Sequence, residues 1–293
     1  MLTRRYPQSG FTLVEMIMVI VITGIIGGMV AVFIQAPVQG YISSEHRAEL
    51  TDIADTAMRR MARDIRTSVP NSVHQPTACT TSCVEFLPTK DGGMYRVLGS
   101  GNALTFGPGG SNTFDILGAS ITFADPLGVS PDYIVIGSTQ SSGTPPYDTS
   151  GVLVGNGVLR KYTGAAGVQS TVTFTNLALP TWAALSSQRF DVVDGTQQAV
   201  TYVCVGPGGA ACPTGSIDTS GNGTCQLMRY WKYGFASAYT TGQSAILADK
   251  VSTCTISYQA ANQRYGLLTT LLTLTSSNES ATLYNEIHVN NAP

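Results

Sequence analysis

Ser9-Gly10-Phe11-Thr12-Leu13-Val14-Glu15 leads directly into 19 uncharged, mostly apolar residues, Met16 to Ile34. As a helix rising roughly 1.5 Å per residue, that run is about 28 Å long; adding Phe11 to Val14 brings it to about 36 Å, enough to cross a hydrocarbon core of roughly 30 Å. Nothing comparable recurs later in the sequence. Arg4 and Arg5 precede the run without a compensating acid, which predicts a cytoplasmic N-terminus and a far-side location for everything beyond about residue 40. The run is too long for an ordinary secretory signal, and Phe33-Ile34-Gln35-Ala36 is a poor small-x-small cleavage context. A lipoprotein signal would need a Cys just after the apolar core, whereas the first is Cys79. A plain uncleaved anchor leaves Glu15 unexplained. A carboxylate inside an apolar helix costs a few kcal/mol unless it is paired, and such residues are functional by default.

Composition narrows the field. The 293 residues carry 16 Lys+Arg against 18 Asp+Glu, a net charge of −2, which gives no electrostatic footprint for nucleic acid. Charged residues are 12% and hydrophobic ones 43%, so a highly charged disordered chain is excluded as well. Three His leave little for a His-rich metal centre.

Beyond the apolar run the helical pattern continues. Leu50, Ile53, Ala54, Ala57, Met58, Met61, Ile65 and Val69 recur at helical spacing, while Glu49, Asp52, Asp55, Arg59, Arg60, Arg63 and Asp64 fill the opposite face. Pro70 ends the pattern. One helix is therefore expected over 11–69, with 11–34 spanning a membrane and 35–69 amphipathic. Pro37 lies inside it, with Gly24, Gly27 and Gly28 upstream, and these are its candidate points of flexibility. A bend near the membrane surface is the expected consequence, with local unwinding during assembly as the functional alternative. Arg59, Arg60, Arg63 and Arg66 are interleaved with acids, so they read as a solvated or subunit-contacting face.

The segment from Ser9 to Glu15 resembles the class III signal of type IV pilins and pseudopilins. The resemblance implies that residues 1–10 are a leader, that a prepilin peptidase cuts between Gly10 and Phe11, and that Phe11 is N-methylated. It also implies that Glu15 neutralises the Phe11 ammonium of an adjacent subunit, a buried pair better suited to fixing register than to adding stability. The implied fold is α+β and pilin-like, a long N-terminal helix packed on an antiparallel sheet domain. At 70–293 that domain is larger than the family usually has, which favours a minor subunit and either a larger or a second sheet. Arg59–Arg66, Val69–Val73, Phe86–Thr89 and Glu286–Asn291 are similar to minor pilins of the mannose-sensitive haemagglutinin (MSHA) pilus system. The same layout resembles the J-type minor pseudopilins of type II secretion. The partners implied are other minor and major pilins, the peptidase and an inner-membrane assembly platform. The implied location is the bacterial inner membrane, crossed once with the large domain in the periplasm, and then the pilus.

After residue 70, short runs rich in Thr, Val, Tyr and Ile alternate with Gly/Pro/Asn/Asp clusters, as half-buried antiparallel strands require. Expected strands are 84–87, 95–98, 104–106, 133–137, 151–154, 158–162, 171–176, 189–193, 200–205, 226–233, 251–259, 267–275 and 282–289. The last five form a meander whose inner face receives the helix, and 107–131 and 138–150 read as surface loops. Cys79, Cys83, Cys204, Cys212, Cys225 and Cys254 all lie beyond the span; an even count there implies disulfides, with 15 possible connectivities. Cys79–Cys83, Cys204–Cys254 and Cys212–Cys225 are the expected pairs. A zinc site is the rival, but no Cys-x-x-Cys occurs.

Catalytic signatures are missing from the sequence: no Gly-x-Ser-x-Gly, His-Glu-x-x-His or P-loop occurs, and no motif calls for a cofactor. His46, His74 and His288 read as polar surface residues. Asp218, Ser220 and Asn222 imitate the start of a calcium loop, but Arg229 stands where a bidentate Glu belongs. A non-enzymatic structural subunit is the expectation. An anchored surface adhesin is the alternative from another class, with Tyr230-Trp231-Lys232-Tyr233 as its candidate platform.

Overall fold

The computed structural model describes residues 10–76, 79, 82–139, 157–175, 178–235, 238–260 and 265–292. The expected strand at 151–154 and most of the expected loop at 138–150 lie outside them. A single helix, α1 (Leu13–Arg66), runs unbroken through Gly24, Gly27, Gly28 and Pro37. It starts two residues later and ends three earlier than the 11–69 expected, because Thr12 caps its start and Thr67 turns its side chain back to the Arg63 and Asp64 carbonyls. The chain divides into two units, Met1–Glu49 and Leu50–Pro293, and the division falls within α1.

In the first unit the helix is apolar around its circumference over residues 16–34. Ile17, Ile20, Ile25, Met29, Val32 and Phe33 are all exposed. A helix hydrophobic on every side requires lipid or other helices around it. Its length and composition suit a membrane crossing.

In the second unit the helical period has a target. Leu50, Ala54, Ala57, Met58, Met61, Ala62 and Ile65 are buried against a six-stranded antiparallel sheet. That sheet contains β1 (Cys83–Phe86), β10 (Val200–Val205), β11 (Cys225–Trp231), β12 (Gln243–Ala260), β13 (Tyr265–Ser276) and β14 (Glu279–Asn290), in that spatial order. From β10 onward it is the expected meander. Along β13, Leu268, Thr270, Leu272 and Leu274 are buried in alternation, which places one face on the helix stripe. Each large apolar side chain of that stripe contributes on the order of 2 kcal/mol by burial.

A second six-stranded sheet runs β6 (Leu159–Lys161), β5 (Tyr133–Ile136), β9 (Arg189–Val193), β2 (Thr89–Tyr95), β3 (Thr113–Leu117) and β8 (Thr171–Thr173). A two-stranded ribbon of β4 (Ile121–Phe123) and β7 (Gly167–Gln169) accompanies it. Its core is aromatic: Phe114 meets Phe190 edge-on at 5.0 Å, and Phe123 stacks on Tyr162 at 4.1 Å. A third cluster contains Val69 from the helix exit, Val135, Leu159 and Val193 from the second sheet, and Leu87 and Tyr233 from the chain just beyond β1 and β11.

Several expected strands are corrected here. The 95–98 strand is instead β2, which ends at Tyr95, and 104–106 is not a strand. Residues 107–131 are not simply a loop, since Phe114 and Ile116 alternate inward within β3, and Ile121 and Phe123 within β4. β2 reads Thr-Lys-Asp-Gly-Gly-Met-Tyr, with no apolar alternation. Its glycines answer to close approach: a Cβ on Gly92 would lie 2.9 Å from the Phe190 carbonyl oxygen, and one on Gly93 would lie 3.1 Å from the Phe190 ring.

Disulfides join Cys79 to Cys83, Cys204 to Cys254 and Cys212 to Cys225. The first bonds the start of β1 to Cys79, the second ties β10 to β12, and the third closes the loop entering β11. Cys79, Cys204 and Cys212 all line one small hollow of about 200 Å³, so the three bridges gather in one region.

Polar groups pin the helix to its sheet. Asp64 Oδ2 accepts from the Tyr202 hydroxyl at 2.6 Å and from Arg229 Nε at 3.3 Å. Arg229 Nη2 donates to Gln197 Oε1 at 2.7 Å, and the guanidinium lies 5.2 Å from the Trp231 ring centroid. Burial, then the Asp64 charge, pushes the Tyr202 phenol well above its ordinary range. Asp64→Ala strands the buried Arg229 charge, with an expected loss of about 2–3 kcal/mol, or about 4–10 °C in Tm. Thermal unfolding of the full chain in detergent micelles measures this against Asp52→Ala, on the exposed face, where a change within about 0.5 kcal/mol is expected. Equal losses in the two variants would contradict the pinning role.

Candidate functional site

The start of α1 is built by a reciprocal cap. Thr12 precedes the helix, and its Oγ1 accepts from the Glu15 backbone N–H at 3.3 Å. Glu15 Oε2 accepts in return from the Thr12 backbone N–H at 3.0 Å and the Thr12 hydroxyl at 3.1 Å. This is a capping box, Thr-x-x-Glu, which satisfies helix-end N–H groups and sets a negative charge against the positive end of the helix dipole. Thr12 was not among the residues singled out in the sequence, although its three-residue spacing to Glu15 is legible there. Among the described residues no hydrogen bond reaches Glu15 Oε1, so that oxygen keeps its acceptor capacity.

Gly10 and Phe11 lie before the helix, outside any regular element, and Phe11 is 82% exposed. The peptide bond between them is therefore accessible and free of the helical ladder. Within the apolar run, Cβ atoms added at Gly24, Gly27 and Gly28 would meet open space, which leaves that surface smooth. Pro37 has no N–H to offer the carbonyl one turn earlier. Thr23 hides its hydroxyl by donating to the Val19 carbonyl at 2.7 Å.

At the other end of α1, Arg59 pairs with Asp55 at 2.6 Å. Arg60, Arg63 and Arg66 project from the exposed face near the negative end of the helix dipole, which favours cations there.

The remaining candidates serve internal structure. Asp218 Oδ1 accepts from the backbone N–H groups of Ser220 and Asn222, both at 2.8 Å; the Asn222 bond, first among these, holds the carboxyl below its usual range. Asn222 Oδ1 accepts from Ser276 Oγ and from the Ser277 N–H. Those oxygens are occupied in tying a turn to the β13–β14 hairpin. Among the described residues no group of three or more His, Cys, Asp and Glu is placed to hold a metal ion.

His74 is not the plain surface residue expected. It is part-buried, with Nε2 3.7 Å from Glu85 Oε1. Glu85 Oε2 accepts from Tyr233 at 2.9 Å and from Thr201 at 3.2 Å. Burial raises the Glu85 pKa, opposed by the His74 charge and those hydrogen bonds. His288 lies exposed on β14. The Tyr230–Tyr233 stretch also faces inward in part: Tyr230 packs edge-on against Tyr239 at 5.1 Å, and Tyr233 is buried.

The N-terminal segment itself stands apart, with an exposed Gly10–Phe11 bond, a capped helix and an acidic side chain with spare capacity. Comparison with curated proteins finds no match, and comparison with solved structures finds none either. Residues 5–31 match the prokaryotic N-terminal methylation motif. That stretch takes in Gly10, Phe11, Thr12, Glu15, Gly24, Gly27 and Gly28, and the match supports a type IV pilin-like protein.

Proposed function

We propose that this chain is a minor pilin, a non-enzymatic structural subunit that initiates or caps assembly of a type IV pilus of the MSHA kind. The observation that carries the reading is the methylation motif coinciding with a capped apolar helix whose Glu15 keeps one carboxylate oxygen uncommitted. Prepilin peptidase removes residues 1–10 by hydrolysing the Gly10–Phe11 bond, and Phe11 is then methylated on its new amine. The ammonium so created sits at the positive end of the helix dipole, which is unfavourable without a nearby anion. Glu15 of an adjoining subunit supplies that anion where lipid or packed helices lower the local dielectric.

Arg4 and Arg5 keep the leader on the cytoplasmic side of the inner membrane and leave 70–293 in the periplasm, where disulfides form. The subunit then leaves the membrane with other minor and major pilins through the inner-membrane assembly platform. The MSHA assignment is supported by the sequence resemblances in the helix end and the C-terminal strand. The large double-sheet domain favours a minor position over the repeating one.

Gly10→Val places a branched side chain at the scissile bond and is expected to leave the leader attached. Intact-mass measurement of membrane protein distinguishes the two forms, and a wild-type mass that still includes residues 1–10 would overturn the processing step. Glu15→Leu is expected to insert at wild-type levels yet crosslink to neighbouring pilins at least about tenfold less, the scale of losing one charge-assisted contact. Wild-type crosslinking by that variant would remove Glu15 from assembly. Deleting the gene is expected to abolish surface filaments with protein secretion intact; the opposite phenotype would assign the chain to a secretion pseudopilus.

A further inference from the structure

A cleft of about 700 Å³ opens where the last turn of α1 meets β2, β9 and the end of β14. Its wall includes Arg66, Asp91, Gly92, Ser187, Arg189 and Asp191. The β2–β9 register sets Gly92 directly opposite Asp191, so both positions face the same side. A Cβ at Gly92 would press on the Phe190 carbonyl oxygen at 2.9 Å and would lie in ordinary contact with Asp191 Oδ1 at 3.4 Å, covering that side of the carboxylate. The glycine thus keeps the space over the carboxylate empty.

Asp191 differs from the other recessed acids. Asp132 accepts from Lys90 and from the Ala124 N–H, Glu85 from Tyr233 and Thr201, and Asp64 from Tyr202 and Arg229. Asp191, half-buried in the cleft wall, accepts no hydrogen bond and forms no ion pair among the described residues. Arg189, two residues along β9, acts on it only through space. Ser187 Oγ, in the same wall, is also buried without a partner among the described residues. Native structures rarely leave a recessed acid and a buried hydroxyl unmatched in the wall of one cleft, and such places are where ligands supply the missing groups. The carbonyl end of α1 adds negative potential at the cleft. Arg66 and Arg189 oppose it, but both are solvent-exposed, where screening weakens their effect.

We propose that this cleft binds an ammonium or guanidinium group, with Asp191 as its counter-ion and Ser187 Oγ as a further acceptor. The inference is independent of the pilin reading, since it rests on the second unit alone. It goes with a pH dependence of definite sign. Burial raises the Asp191 pKa to about 6, with the Arg189 charge pulling the other way. The carboxylate that a cation needs is therefore present above that value and lost as pH falls through it. The other charged groups facing the cleft are Arg66 from the helix end, Asp91 from β2 and Arg189 from β9; the end of β14 and the chain just beyond it contribute only Asn290 and Ala292, and neither carries charge.

Isothermal titration of the full chain in detergent micelles, with agmatine and with N-acetyl-arginine amide, tests this. Saturable binding is expected at pH 7.5, weakened about tenfold at pH 5.0, where about a tenth of Asp191 is ionised. Asp191→Asn is expected to lose at least as much at pH 7.5, while Asp52→Asn keeps wild-type affinity. Tighter binding of the acetylated amide would point to a protein side chain as the natural occupant, and tighter binding of agmatine to a free amine; either order supports a cation site. Absence of saturable binding, affinity unchanged at pH 5.0, or wild-type affinity in Asp191→Asn would each overturn it. If circular dichroism finds Asp191→Asn unfolded, the wild-type pH comparison decides alone.

Discussion

Burial of one apolar stripe, Leu50 through Ile65, is the interaction on which the globular unit depends. A six-stranded sheet with a single oily face is not stable in water alone, and an amphipathic helix of this length is marginal by itself. Each covers the other's exposed surface. The meander from β10 to β14 forms around the helix, and β1 joins its edge through chain that leaves the helix end. The second sheet attaches through a further cluster in which Val69 and Leu87, flanking the helix exit, meet Val135 and Val193.

Polar groups then fix what apolar burial leaves loose. Hydrophobic contact has no direction, so a helix could slide or rotate on its sheet by small steps at little cost. Asp64 removes that freedom, since Tyr202 and Arg229 reach the same carboxylate oxygen from neighbouring strands. The Glu85–Tyr233–Thr201 group does the same for β1 against β10 and the chain leaving β11. These interactions add less to stability than to uniqueness, because desolvation consumes much of their attraction.

The helix was legible because its signals agree: an uncharged run, then strict apolar spacing, then Pro70. The tail meander was legible from alternation such as Leu268, Leu272 and Leu274 set against polar neighbours. The six cysteines are joined in the three expected pairs, although their order alone left 15 connectivities open. β2 was not legible, because Lys90-Asp91-Gly92-Gly93 carries no strand propensity and is held in place by the closeness of β9. β3 and β4 were hidden among Gly and Ser, where composition outweighed the inward alternation of Phe114, Ile116, Ile121 and Phe123. At the N-terminus, Glu15 was read as an acid in lipid, and its bond to Thr12 went unnoticed despite a spacing written plainly in the chain. The Asp191 cleft has no local signature whatever, since the pairing of Gly92 with Asp191 is a long-range register.

The Thr12–Glu15 cap lies wholly downstream of Gly10, and Thr67 closes the far end of the same helix. Whatever happens to the residues ahead of Phe11, the first turn keeps its own bonds and has no reason to fray. If the chain is cut ahead of Phe11, as the proposed function has it, the electrical character of the tip changes while the Thr12–Glu15 bonds of the first turn stay as they are.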